Sequence, residues 1–213
     1  MADTVRDILK RPGHRLVVFG SGESFKIPHA LFRQQPIKVG EEVDIQAISQ
    51  RIRAAENKFA LEAAVRMLEM RDRSEQEVYR KLTDSGYSGP AAAAAVAKLV
   101  DLGYLNDAAY ARQAVDRLQK KHGSLRIRRE LRNKGIEAGL IEESLEDTDP
   151  EDQVAAAVKM ARTSYFRKSG EPEAAYRRAY AALARRGFTP EVVRTALDAL
   201  REEAAAMDGS DDG

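Results

Sequence analysis

With 213 residues and 35 basic against 34 acidic side chains, the chain has room for one large domain or a short array of small units, and its net charge of +1 points to no partner. It contains no cysteine, which excludes disulfides, thiolate zinc sites and cysteine nucleophiles together. No signal-peptide core and no apolar run of about 18 residues is present, so the expectation is a soluble cytoplasmic protein with no membrane association.

Residues 1–43 differ in texture from the rest of the chain. His14-Arg15-Leu16-Val17-Val18-Phe19 is apolar and β-branched, Gly20-Ser21-Gly22 supplies a turn, and Glu23 to Pro28 resumes alternation. This predicts a β-hairpin, with Ile37 to Val43 as a short third strand. Two strands are marginal alone, so the module is expected to dock on the first helices.

After Asp44, read as an N-cap, the period changes to that of a helix. Ile45, Ile48 and Ile52 form the stripe of a leading helix; Phe59, Ala63, Met67 and Met70 form the stripe of the next. Ser74-Glu75-Gln76-Glu77 has the form of a capping box, which starts a helix that ends near Gly86. Ser88 caps a further helix over 89–102, Asn106 and Asp149-Pro150 open later ones, and Thr189-Pro190-Glu191 opens the last. A longer loop is expected from Arg167 to Glu171, and a disordered acidic tail within the stretch from Glu202 to Gly213.

Within this helical region one spacing recurs three times. Val78…Leu82…Gly86-Tyr87, Ile127…Leu131…Gly135-Ile136 and Ala179…Leu183…Gly187-Phe188 each place a Leu four residues before a Gly that a large apolar residue follows. The copies lie 49 and 52 residues apart. Ala92, Ile141 and Val193 sit six residues after their glycines, and Val96, Leu145 and Leu197 sit ten after, which is one buried face used three times. First helices align more loosely, at Ala64, Ala114 and Ala157. A recurrence of this size signals a repeat architecture. The predicted fold is mainly α: three tandem three-helix repeats in an elongated curved body, with a small N-terminal β-hairpin module. The expected divisions are 1–43 for the hairpin module, 44–104 for the leading helix and repeat 1, 105–148 for repeat 2, 149–206 for repeat 3 and 207–213 for the tail.

Charge is unevenly placed. Arg117, Lys120, Lys121, Arg126, Arg128, Arg129, Arg132 and Lys134 face Glu130 alone in their segment, a local excess of +7, while 137–152 holds eight acids and no base. On a helix from about Leu125 to Lys134, Ile127 and Leu131 point to the core and Arg128, Arg129 and Arg132 share the outward side. Free amides at the Gly123-Ser124 helix start, beside these guanidinium groups, would make a phosphate or carboxylate grip. The competing reading is a solvated helix face partly neutralised by the acids of 137–152. Arg80 with Lys81, and Arg177 with Arg178, hold corresponding second-helix positions and would extend a basic stripe. Tyr79, Tyr87, Tyr104, Tyr110, Tyr176 and Tyr180 are read as core packing with wet hydroxyls in preference to base stacking. The acidic run is read as the solvated face of a third helix and its linker.

Three signatures in order, Arg73-Ser74-Glu75-Gln76-Glu77-Val78…Lys81-Leu82…Gly86-Tyr87, then Leu102-Gly103-Tyr104-Leu105-Asn106-Asp107…Tyr110-Ala111, then Gly123-Ser124…Ile127-Arg128-Arg129-Glu130-Leu131…Lys134-Gly135-Ile136, resemble the RecX family of bacterial regulators of the RecA recombinase. The hairpin module resembles an N-terminal extension of many members. The third repeat departs most, with Ala179 where a larger aliphatic residue is usual. The resemblance implies binding along the groove of the RecA–single-stranded DNA filament and inhibition of its growth, ATPase and strand exchange, by a protein without cofactor and expected to be monomeric. The alternatives are a stand-alone helix-turn-helix DNA-binding protein or repressor, and a pure protein-interaction scaffold. No catalytic motif is found: Gly20-x-Gly22 lacks the third glycine because Phe25 occupies its place, His14, His29 and His122 are scattered, and neither a Walker loop nor H-E-x-x-H or G-x-S-x-G occurs. A non-enzyme with no metal site is therefore expected.

Overall fold

The computed structural model describes residues 2–166 and 172–208. The chain folds as two compact units that divide between Asn106 and Asp107.

The first unit opens with a four-stranded antiparallel sheet in the order β3-β2-β1-β4, formed by β1 (Ala2–Arg11), β2 (His14–Phe19), β3 (Ser24–Pro28) and β4 (Glu42–Asp44). The predicted hairpin is β2–β3. The sequence reading missed β1, which lies between β2 and β4 at the centre of the sheet. The third strand expected over 37–43 is reduced to β4, which pairs with β1. Val5, Val17, Phe19 and Ile27 from the strands meet Leu31 of α1 (His29–Gln34), Ile37 and Ile48 in a closed core.

α2 (Ile45–Met70) is one continuous helix of 26 residues, where two were expected. Asp44 caps it as predicted, its carboxylate accepting from the Gln46 amide at 3.0 Å. Its first half serves the sheet through Ile48 and Ile52, and its second half serves repeat 1 through Ala60 and Ala64. Phe59 packs against both cores. Met70, expected on the buried stripe, is 81% exposed.

α3 (Glu75–Asp84) and α4 (Gly89–Asp101) complete repeat 1. Ser74 is wholly buried and its hydroxyl accepts from the Glu77 amide, as a capping box requires, and the Glu77 carboxylate also meets Arg71 at 3.0 Å. Buried Glu56 of α2 accepts from both the backbone and the hydroxyl of Ser88, the residue that caps α4. One side chain thereby ties two helices at a helix start.

The second unit holds α5 (Asp107–Leu118), α6 (Ser124–Asn133) and α7 (Ala138–Glu146), then α8 (Pro150–Tyr165), α9 (Pro172–Arg185) and α10 (Pro190–Asp208). The loop expected from Arg167 to Glu171 lies outside the described residues. The tail expected from Glu202 is helical as far as Asp208.

The recurrent Leu-x3-Gly-apolar spacing has one physical cause. Each copy is a Schellman ending: the Gly takes a positive φ (+91°, +81° and +78° at Gly86, Gly135 and Gly187), and the amide after it donates back to the Leu carbonyl. These bonds run from Tyr87 to Leu82, Ile136 to Leu131 and Phe188 to Leu183, at 3.1, 3.1 and 3.3 Å. Each glycine amide also donates to the third residue before it: Thr83, Arg132 and Ala184. The motif turns the chain back so that the Leu and the following apolar residue enter the same core, and all six of these side chains are buried. Val78, Ile127 and Ala179, with Ala92, Ile141 and Val193, complete three separate cores of equivalent design.

Candidate functional site

α5 and α6 carry the basic cluster, and the structure sorts its members. Arg128 does not face outward with Arg129 and Arg132 as expected. Its Nε and Nη2 grip Glu142 of α7 at 2.9 and 2.8 Å, and its Nη1 reaches the Ser124 hydroxyl. The Glu142 bond raises the Arg128 pKa, and Arg128 in turn holds the Glu142 carboxyl below its usual range. Glu142 is thus not purely part of a solvated acidic face. Arg126 is also occupied, pairing with Glu130 one turn on at 3.0 Å. Lys134 is half-buried.

The outward stripe of α6 is Leu125, Arg129 and Arg132, all exposed at helical spacing. Arg117, Lys120 and Lys121 are exposed at the end of α5, where they line an open depression with Gln113 and Asp116. These five cations have no ion-pair partner among the described residues.

At the helix start expected to offer free amides, two are taken. The Gly123 amide donates to Arg186 and the Leu125 amide to Gly187, at 3.1 and 3.0 Å. The turn that opens α6 is therefore docked, backbone to backbone, on the turn between α9 and α10. His122, beside this contact, has a lowered pKa because burial disfavours its charged form and Arg126 adds like-charge repulsion.

Arg80 and Lys81 are exposed on α3 of the first unit. On α9, Arg177 is exposed but Arg178 is half-buried and turned into a cleft against α8. The tyrosines divide. Tyr87 is buried, with its hydroxyl donating to the Phe59 carbonyl and its pKa raised by burial. Tyr79 and Tyr110 pack at core margins. Tyr104 is 68% exposed, and Tyr176 and Tyr180 stack on the surface of α9, so core packing was the wrong expectation for these three. Among the described residues no group of three or more acids or histidines is placed to hold a metal, and no helix is long and apolar enough to cross a membrane.

Three family profiles match in order. They are RecX, first three-helix domain, at residues 60–99; RecX, second three-helix domain, at 106–145; and RecX, third three-helix domain, at 151–197. The chain belongs to the RecX family. Curated RecX relatives agree over most of their length. The regulatory protein RecX of Clostridium botulinum (strain Alaska E43 / Type E3) is 32% identical over 164 residues, 75% of this chain and 76% of the relative. That of Deinococcus radiodurans is 33% identical over 152 residues, 70% of this chain and 72% of the relative. A crystal structure of RecX from Lactobacillus salivarius superposes with a TM-score of 0.65 at 25% identity, covering 70% of this chain and 98% of that one. A second crystal structure of regulatory protein RecX has the same fold, with a TM-score of 0.63 at 23% identity and coverage of 92% and 99%. The α2 helix enters the first RecX profile at Ala60, the residue where its packing passes from the strand module to repeat 1. As a RecX-family member the chain has a regulatory role.

Proposed function

We propose that this chain binds the RecA–single-stranded DNA filament in the cytoplasm and inhibits its extension, ATPase and strand exchange, and so restrains recombination and the DNA-damage (SOS) response. Membership of the RecX family supports the regulatory part of this reading. The observation that carries the contact is the set of exposed, unpaired cations on α5 and α6: Arg117, Lys120, Lys121, Arg129 and Arg132. Phosphate contacts from such side chains give affinity without sequence selection. Four of them acting on single-stranded DNA contribute about −3 to the slope of log affinity against log salt. Arg126 and Arg128 belong to in-chain ion pairs: Arg126 pairs within α6, and Arg128 ties α6 to α7. Arg80, Lys81 and Arg177 are further exposed contacts in this reading. Many modest contacts along one polymer act through avidity, as a monomer and without catalysis.

The test is RecA ATPase on single-stranded DNA with a cognate recombinase. Inhibition at well below one regulator per recombinase subunit is expected. A folded K120A/K121A/R129A/R132A variant is expected to lose potency by about tenfold or more and to show a shallower salt dependence, since each phosphate contact on a single strand contributes about 0.7 to the slope. Unchanged potency in that variant removes the contact assignment. No inhibition by the unaltered chain removes the reading, and a salt-resistant preference for one duplex sequence would then favour a helix-turn-helix DNA-binding protein.

A further inference from the structure

The cleft between α8 and α9 is lined by Thr163, Ser164, Arg178, Ala182 and Arg185 and has a volume of about 380 Å³, within the range of small-ligand sites. Arg178 and Arg185 lie seven residues apart, two turns of α9, so both project along one side of the helix. Ala182 stands between them, buried, and its small methyl keeps the floor of the cleft open.

Arg178 presents an unusual edge. Its Nε and Nη2 are buried and have no hydrogen-bond partner among the described residues. Buried donors are almost always satisfied, so an unfilled pair on one guanidinium edge calls for an acceptor. The same molecule shows what fits that edge: in Arg128 the equivalent Nε and Nη2 are filled by the two oxygens of Glu142. Among the described residues Arg178 has no such acid, and Arg185 is exposed and has no ion pair. A carboxylate would satisfy one edge only. Two guanidinium groups with the hydroxyls of Thr163 and Ser164 suit a doubly charged, tetrahedral oxyanion with more than two acceptor oxygens. The α8 wall is a helix C-terminus, whose carbonyls disfavour an anion, so binding rests on the arginines.

We propose that this cleft is a phosphate-binding site, with Arg178 as the bidentate ligand and Arg185 as the second charge. The cleft shares no lining residue with the α5–α6 depression, and its proposal does not depend on the identity of the regulated partner. The phosphate is either free, as an inorganic or nucleotide phosphate, or part of a nucleic-acid backbone.

Calorimetric titration of the full chain with inorganic phosphate, at ionic strength matched with chloride, tests it. Saturable binding is expected, weakened about tenfold or more in R178Q and in R185Q and unchanged in R201Q, whose exposed side chain on α10 does not line the cleft. Arg185 is exposed, so R185Q is informative even if R178Q perturbs folding. Absence of saturable binding overturns the proposal, as does an equal loss in R201Q, which would indicate diffuse charge. A parallel titration with a short oligothymidylate separates the sources: weakening by R178Q identifies backbone phosphate, and indifference identifies the free form. Recombinase ATPase is not the readout, so the site can fail while filament regulation stands.

Discussion

Replacing Gly123 with alanine isolates the contact between repeats 2 and 3. The backbone of Gly123, at φ −78° and ψ 164°, suits any residue. An exposed glycine in such a conformation gains about 0.4–1 kcal/mol on replacement by alanine, because the unfolded chain loses freedom. Here an added Cβ would lie 2.2 Å from the Phe188 Cα and 2.3 Å from the Gly187 carbonyl oxygen and the Phe188 nitrogen. All three are backbone atoms, so no rotamer relieves the clash. Overpacking of this kind costs about 1–3 kcal/mol. Separating the turns also loses the bonds Gly123 to Arg186 and Leu125 to Gly187, at about 1 kcal/mol each. The sum is a destabilisation of about 3–5 kcal/mol, opposite in sign to the local backbone effect. At about 2–4 °C per kcal/mol for a chain of this size, the melting temperature falls by roughly 10 °C. Urea unfolding followed by circular dichroism measures it. A G123A variant within about 0.5 kcal/mol of the parent would show that the two turns are not held in this contact.

Two further effects are measurable. His122 has a folded-state pKa below its ordinary value of 6.5, so the neutral form favours the native state; stability is expected to be full above pH 6.5 and to fall as pH drops through 6.5 toward the lowered value, and the denaturation midpoint of the parent should fall relative to that of H122N as pH is lowered from 8 to 5. Ser74→Ala removes the hydroxyl that accepts from the Glu77 amide and is expected to cost about 1 kcal/mol, with Ser74→Thr costing less; calorimetry that finds S74A neutral would leave the cap without energetic weight.

The repeat cores were legible because their signal is local. A Schellman ending needs a Leu, a Gly and an apolar residue at fixed offsets, and the offset survives in all three copies while other positions drift. β1 was not legible because its register shifts between Val5 and Asp7, leaving the core residues Val5 and Ile8 three positions apart. That interval mimics a helix, and Asp3, Arg6, Asp7, Lys10 and Arg11 hide the strand further. At the candidate surface, the outward positions of Arg129 and Arg132 followed from period alone. The capture of Arg128 by Glu142 did not, because their pairing depends on how α6 crosses α7. The engagement of the Gly123 and Leu125 amides was hidden for the same reason: their acceptors, Arg186 and Gly187, lie over 60 residues away.

α2 spans about 39 Å without a break and has no joint where the sheet ends and the first repeat begins. Phe59 is wedged into both cores at that level, and a second strut stands alongside, where a Cβ on Gly86 would lie 2.8 Å from the His14 side chain. A displacement of the strands is therefore passed toward α3 and α4 through α2 and these contacts. The sheet works as a handle on the first repeat, and any object that grasps it steers three more helices.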